Sequence, residues 1–466
     1  MINNSLENLK KQSILILGMG REGWSTYKFL RNLFPDKKLA IADANPTEKN
    51  RELIEKDQNL TTYFGENHLN NLSEYQVIFK SPGIPQTLPK IAAAKKNGCK
   101  LTSNTQLFFE LCPGITIGVT GTKGKSTTSA VIHQVLKEND LDAYLVGNIG
   151  QPSLEILDGL NSSSLIVCEL SSHQLETMTV SPHISVVQDV TSEHLDYYEN
   201  TEKYQQAKQA ITKFQKENDF VIFNPQMRGA TDIAKLSAGK HLRFSIDEGP
   251  DAIVFVRNNE LIRKDSSQRA ELILPTKKLP LYGEHNILNV MPAIIIGTLF
   301  NLSAEQIGNA LKNFKSLPHR LELVHERKGI SYYNDSLATM PEAAIKALDS
   351  FDKPITLIAG GYERNQDFSS LAKKIAEKEI AGLVLFEPTG RRLADEVHKI
   401  NRQTNISFAT DMREAVGKSQ QMMNDYLTKN NKTEGIVLLS PGSASFGMFK
   451  DYQDRGEQFE EAAKEE

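Results

Sequence analysis

Short apolar, β-branched runs recur along the chain, each ending at a turn rich in Gly, Ser, Asn or Asp and followed by a polar, helix-forming segment. They lie at Ser13–Gly18, Lys38–Ala42, Tyr75–Lys80, Ile115–Thr120 and Ser164–Glu169, from Ile184 to a close at His194, and at Ile330–Tyr333, Ile355–Ala359 and Gly435–Leu439. Such runs read as buried strands, and their alternation with helices implies mostly parallel sheets. The expected class is α/β. At 466 residues the chain exceeds what one core holds, so about three domains are expected.

The richest chemistry follows the strand Ile115–Thr120. A turn containing Gly121 and Gly124 leads into Lys125-Ser126-Thr127 and a helix. Glycines let backbone N–H groups approach an anion, the helix N-terminus adds its dipole, Lys125 adds a point charge, and the Ser126 or Thr127 hydroxyl suits Mg²⁺. Val119 stands where the general phosphate-loop pattern has glycine. The string Thr120-Gly-Thr-Lys-Gly-Lys-Ser-Thr-Thr128 resembles the variant loop of the Mur ligase and folylpolyglutamate synthetase superfamily, which uses ATP to join an amino acid to a carboxylate. The resemblance implies that Gly121, Thr122, Lys123, Gly124, Lys125, Ser126 and Thr127 bind ATP.

Upstream, Gly18-Met-Gly20-Arg-Glu-Gly23 follows the first strand, and Asp43 lies twenty residues beyond Gly23. Alone this fingerprint suggests a dinucleotide site or a bare tight turn. Ser81-Pro-Gly-Ile84 then ends another strand where open sheets bind ligands. In the muramyl-peptide ligases, such a Rossmann-like domain holds the uridine diphosphate of a sugar nucleotide. That resemblance points to Arg21, Glu22, Asp43 and Ser81, and the Gly147-Asn-Ile-Gly150 string adds Asn148, whose alternative is a plain turn.

Glu169 ends an apolar strand, where a carboxylate requires a counter-charge such as Mg²⁺. The string Glu169-Leu-Ser-Ser-His-Gln-Leu-Glu176 resembles the ligases' own. By the same resemblance His194 ligates a second Mg²⁺, with Glu193 and Asp189 departing from the usual residues. The string Tyr204-Gln-Gln-Ala-Lys208 reads as the start of a helix, and the resemblance implies that Lys208 is carbamylated and that Asn286 and Asn289 approach ATP. The metal set is thus Ser126, Glu169, His194 and Lys208, and the catalytic set Lys125, Lys208 and His194. Composition alone reads Lys208 as an exposed helix lysine and the two asparagines as caps of a helix Val290–Leu299.

Beyond a hinge-like Leu317-Pro-His-Arg320, the resemblance places Arg320 and Asp335 near ATP. Leu337 replaces a family lysine, and Arg364 stands where a lysine takes the incoming carboxylate, offering a planar two-pronged geometry instead. The closing Ser440-Pro-Gly-Ser-Ala-Ser445 string and the Arg455-Gly-x-x-Phe helix resemble the glutamate-adding branch. The implied glutamate pocket contains Thr339, Arg364, Ser445, Phe446 and Tyr452.

Composition narrows these expectations. With 54 basic and 58 acidic residues and net charge −4, a general nucleic-acid binder is disfavoured. Three cysteines without metal-like spacing fit a reducing cytoplasm. There is no leader pattern and no continuous apolar stretch long enough for a membrane span. The expected organisation is a UDP-sugar-binding Rossmann-like domain (1–111), a central phosphate-loop ATPase domain with a mostly parallel sheet (112–316) and a Rossmann-like glutamate-binding domain (317–466). The resemblance implies an ATP-dependent ligase, a monomer with small-molecule substrates, two Mg²⁺ ions and carbamylated Lys208. It would add glutamate, D- by family frequency with L- open, to UDP-N-acetylmuramoyl-L-alanine through an acyl phosphate. A folylpolyglutamate-type ligase, a dehydrogenase and a catalytically silent nucleotide binder are the alternatives.

Overall fold

The computed structural model describes residues 2–46, 56–193, 197–265, 267–281 and 283–465. Three sheets are distributed over two compact units, Met1–Leu279 with His285–Lys312, and Pro280–Glu284 with Asn313–Glu466.

The first unit opens with a parallel sheet of β1 (Ile14–Leu17), β2 (Leu39–Asp43), β3 (Leu60–Phe64), β4 (Val77–Lys80) and β5 (Lys100–Thr102). Their spatial order is β3-β2-β1-β4-β5. The order reverses between β1 and β4, which opens a crevice at the carboxyl ends of those strands.

The second sheet contains β6 (Ile115–Thr120), β7 (Ala143–Gly147), β8 (Leu165–Glu169), β9 (Ile184–Val187), β10 (Phe220–Phe223), β11 (Lys240–Phe244), β12 (Ala252–Arg257), β13 (Glu260–Lys264) and β14 (Ala270–Pro275). Its order is β14-β13-β12-β11-β10-β9-β6-β8-β7. All neighbours are parallel except the β12-β13-β14 meander. Asn258 and Asn259, at φ 52° and 61°, make the tight turn between β12 and β13, a conformation asparagine tolerates. One continuous apolar cluster joins the two sheets, running from Ile14 and Ile16 to Val221 and Phe223.

In the second unit β15 (Glu322–Arg327), β16 (Ile330–Asn334), β17 (Ile355–Gly360), β18 (Ile380–Phe386), β19 (Ile406–Phe408) and β20 (Gly435–Leu439) form a sheet ordered β15-β16-β20-β17-β18-β19. Only β15 runs antiparallel. Along β20, Ile436 and Leu438 enter one core while Val437 and Leu439 enter the other, so helices cover both faces.

Three expectations need correction. The strand from Ile184 ends at Val187, because the following segment is tied to the loop after β6: Thr122 N donates to Asp189 O and Thr191 N to Thr122 Oγ1. The string Tyr204–Lys208, expected at the start of a helix, instead closes the helix Thr201–Lys208, Asn200 being its N-cap. Asn286 and Asn289 lie inside a helix, Glu284–Leu299, so they do not cap one starting at Val290.

Candidate active site

The loop after β6 is built from its own backbone. Gly124, at φ 83°, is the left-handed residue from which the helix Lys125–Lys137 starts. A Cβ there would strike Asn289 Oδ1, so only glycine allows this approach. Asn289 Nδ2 donates to Asn286 Oδ1 at 3.0 Å, and Thr128 Oγ1 donates to Asn289 O at 3.0 Å. Asn289 therefore sits against the loop, and Asn286 is bonded to it from within the same helix. Lys125 Nζ donates to Gly121 O at 3.0 Å and Thr122 O at 2.9 Å, folding the loop around its own ammonium. Lys123 is exposed, Ser126 is half-buried, and Thr127 is buried.

Glu169 ends β8 beside this loop, in register with Val119 of β6 and Gly147 of β7. It is fully buried. Its Oε1 accepts from Asn148 Nδ2 at 2.9 Å, while Oε2 is buried with no hydrogen-bond partner among the described residues. A buried carboxylate oxygen left in this way suits a cation. Lys208 is 1% exposed, contrary to the reading from composition. Its Nζ donates to Gly121 O at 3.0 Å and Thr120 Oγ1 at 3.2 Å. Burial pushes its pKa well below the usual lysine range; the Lys125 charge adds to this, and Glu193 and Glu169 oppose it. The buried side chain is thereby biased toward the neutral amine, the form that adds CO₂. Ser126, Glu169 and Lys208 thus surround one loop, whereas His194 lies outside the described residues. Among the described residues no three His, Cys, Asp or Glu side chains gather into a metal site.

A cavity of about 510 Å³ opens at the crevice between β1 and β4, lined by Arg21, Glu22, Asp43, Ser81 and Asn148 among others. Gly18, at φ 89°, would drive a Cβ into Ser81, and a Cβ on Gly23 would strike Gly18 O. Gly20 meets no protein atom and leaves the cavity open. Ser81 Oγ donates to Gly18 O at 2.9 Å. Asp43 accepts from Met19 N at 2.5 Å and Asn45 N at 2.7 Å, so it holds the glycine-rich turn as well as facing the cavity. Arg21 donates to Gly150 O. Glu22 Oε1 accepts from Gln174 Nε2 at 2.6 Å, and its Oε2 is buried with no partner among the described residues. Burial raises the Glu22 pKa. Asn148 therefore has a role its sequence did not suggest: it spans from this cavity to Glu169.

In the second unit Asp335 follows β16 and is 6% exposed. Its carboxylate accepts from Ser440 Oγ at 2.8 Å and Leu321 N at 3.2 Å. Burial pushes its pKa up to about 7, with Ser440, Leu321 N–H and the Arg320 charge acting in the opposite direction. Arg364 is exposed and its guanidinium lies 5.3 Å from the Phe446 ring centroid. Phe446 is itself 48% exposed, and with Tyr362, Glu363, Glu387 and Met448 it lines a second cavity of about 540 Å³. Ser445 is buried, Thr339 and Tyr452 half-buried. Buried Arg455 donates to Ser336 Oγ, Ser336 O and Ser443 O at 2.8–3.0 Å, tying the loop after β16 to the loop after β20.

Comparison with known proteins bears on all three sheets. A Mur ligase MurD-like N-terminal domain matches residues 12–103, a Mur ligase middle domain 119–297, and a Mur ligase glutamate ligase domain 319–433. The UDP-N-acetylmuramoylalanine--D-glutamate ligase of Acetivibrio thermocellus is 32% identical over 99% of this chain and 98% of its own length. The chain belongs to the Mur ligase family. This Mur ligase is an ATP-dependent enzyme that forms amide bonds, using ATP and Mg²⁺. Its fold is shared with the UDP-N-acetylmuramate-alanine ligase of Thermotoga maritima (TM-score 0.57, 16% identity, 97% of this chain and 99% of that one). It is shared also with MurF ligase of the same organism in complex with ADP (TM-score 0.55, 16% identity, 99% and 97%).

Several residues around the first cavity of this Mur ligase escaped sequence reasoning. His68, Asn104, Thr105 and Gln174 also line it. Gln174 lay within a quoted motif, but its capping-box position and its bond to Glu22 depend on tertiary contacts. Asn104 Nδ2 donates to Thr26 Oγ1 at 3.1 Å, and its Oδ1 accepts from Ser153 Oγ at 3.0 Å, with no motif to flag it. Among the described residues no helix is long and apolar enough to cross a membrane.

Proposed function

We propose that this enzyme joins glutamate to the terminal carboxylate of UDP-N-acetylmuramoyl-L-alanine in cytoplasmic peptidoglycan-precursor synthesis, as a monomer. The observation that carries this reading is the full-length similarity to a D-glutamate-adding ligase. The cavity at the β1–β4 crevice, with Glu22, Asp43, Ser81, Asn148 and Arg21, would take the sugar nucleotide. The loop Gly121–Thr127, with Asn286 and Asn289, would take ATP. Residues 1–111, 112–316 and 317–466 would then serve the sugar nucleotide, ATP and glutamate respectively.

The substrate carboxylate oxygen attacks the γ-phosphorus of ATP, the bond to the β-phosphate oxygen breaks, and ADP leaves. The glutamate amine then attacks the acyl carbon, and phosphate departs from the tetrahedral intermediate as the amine loses its proton. Lys125 exchanges its two loop carbonyls for phosphate oxygens, a largely electrostatic and positioning task. Two Mg²⁺ ions, when bound, offset charge on the transferring phosphoryl group. Ser126, Glu169 Oε2, His194 and carbamylated Lys208 would hold them. Addition of CO₂ to the neutral Lys208 amine, with loss of a proton, would give an anionic carbamate, whereas the protonated amine would repel the ions. Asn148 keeps Glu169 oriented.

Thr339, Arg364, Ser445, Phe446 and Tyr452 would receive glutamate. D-glutamate is the preferred isomer by the relative's name, and Leu337 and Arg364 are where a switch to L-glutamate would act. The test is phosphate release from Mg²⁺-ATP with each substrate omitted in turn. The reading predicts release only when sugar nucleotide and glutamate are both present; release indifferent to the sugar nucleotide would overturn it.

A further inference from the structure

Lys80 ends β4 and belongs to none of the roles assigned above. Its side chain is 2% exposed, yet among the described residues it forms no ion pair. Its Nζ donates to Ile84 O at 2.7 Å and Ser81 O at 3.2 Å, with Pro82 O at 3.5 Å. All three carbonyls belong to the turn Ser81-Pro82-Gly83-Ile84, every residue of which lines the first cavity.

The turn is otherwise anchored at its first residue, where Ser81 N donates to Leu17 O and Ser81 Oγ to Gly18 O, both at 2.9 Å. Pro82 and Pro85 cannot donate a backbone hydrogen bond, and within it Ile84 N donates to Ser81 O at 3.2 Å. A lysine ammonium has three rotatable donors and so can gather three carbonyls that point different ways. Burying a cation is costly unless its donors are met. Here the carbonyls meet them, and the charges of Glu176 and Glu22 act on it from farther off. Tyr197 braces the same turn from outside, its hydroxyl lying 3.4 Å from Ile84 O and 3.0 Å from Glu176 Oε2.

We infer that Lys80 is a positioning residue, which fixes the Ser81–Ile84 wall of the cavity by drawing its carbonyls onto one buried ammonium and thereby sets sugar-nucleotide affinity. The affinity part rests on the sugar-nucleotide reading of the cavity; the hold on the turn does not.

The test uses full-length Lys80→Met and Lys80→Gln variants and three readouts. Hydrogen exchange of peptides covering residues 81–88, without ligand, reads the turn. Fluorescence of Trp24, the one tryptophan, which follows the glycine-rich turn, reads UDP-N-acetylmuramoyl-L-alanine binding. Calorimetry reads Mg²⁺-ATP binding. Faster exchange confined to the turn is expected, with sugar-nucleotide Kd raised on the order of ten- to a hundredfold. Lys80→Gln should recover part of the loss, and ATP affinity should be unchanged. Where Lys80→Met fails to fold, Lys80→Gln carries the comparison. Unchanged exchange, or unchanged sugar-nucleotide affinity in a folded variant, would overturn the role, as would equal loss of both ligands. A parent enzyme that does not bind the sugar nucleotide would overturn the functional reading instead, while faster exchange in the variants would still support the hold on the turn.

Discussion

Asp335→Asn should make the stability of the second unit less sensitive to rising pH between 3.8 and about 7. The Asp335 pKa is raised by burial from 3.8 to about 7, so between those values the folded state keeps a proton that the unfolded chain has released. Stability from this group is therefore complete below the unfolded pKa, falls as pH rises and levels off above the folded one. At about 1.4 kcal/mol per unit over roughly three units, the loss is about 4 kcal/mol. Asparagine can keep both contacts, its oxygen accepting from Leu321 N–H and its amide donating to Ser440 Oγ, and it carries no charge to desolvate. The variant should match its parent near pH 4.5 and exceed it by about 3 kcal/mol at pH 8. Hydrogen exchange of peptides from β16 and β20, with variant and parent compared at each pH, measures the difference within the intact chain. A difference that stays flat from pH 4.5 to 8 would refute the assignment of a raised pKa to Asp335.

Gly124→Ala places a Cβ at a left-handed residue and against Asn289 Oδ1. The conformational cost plus the lost Asn289–Asn286 bond is about 2–3 kcal/mol, so Mg²⁺-ATP affinity measured by calorimetry should fall on the order of 30- to 150-fold. Lys208 should gain the mass of one CO₂ when the native enzyme is held in bicarbonate, and activity should follow CO₂ content after degassing. Activity indifferent to CO₂ would remove carbamylation from the mechanism. Arg455→Met strands three acceptors, on Ser336 and Ser443, and should destabilise the second unit by about 3 kcal/mol in urea denaturation read by exchange in β20.

Elements with a simple local signature were the most legible. The runs Ile115–Thr120 and Gly435–Leu439 stand in the structure with those boundaries, because a β-branched run flanked by glycine turns has few alternatives. The glycine-rich turns were equally readable, since Gly18 and Gly124 answer local needs for positive φ. What escaped depends on contacts distant in sequence. Lys208 looks exposed on its helix but is buried under the loop of β6. Asn148 reads as a turn residue until Glu169, 21 positions later, accepts from it. Lys80 ends a strand without a motif, and only the folded turn brings three carbonyls to its ammonium. The helix at Glu284 begins six residues earlier than the run from Val290 suggested, because Asn286 and Asn289 look like caps yet lie inside the helix, with Asn289 against the loop after β6.

The most direct measurement is the mass of the sugar-nucleotide product after incubation of the enzyme with UDP-N-acetylmuramoyl-L-alanine, Mg²⁺-ATP and isotopically distinguished D- and L-glutamate together. The account predicts a product heavier by one glutamate residue, carrying the D label, formed in equal amount with released phosphate. Unchanged sugar nucleotide despite bound ATP would contradict glutamate addition itself, and a product carrying the L label would keep the ligase but reverse its stereochemistry.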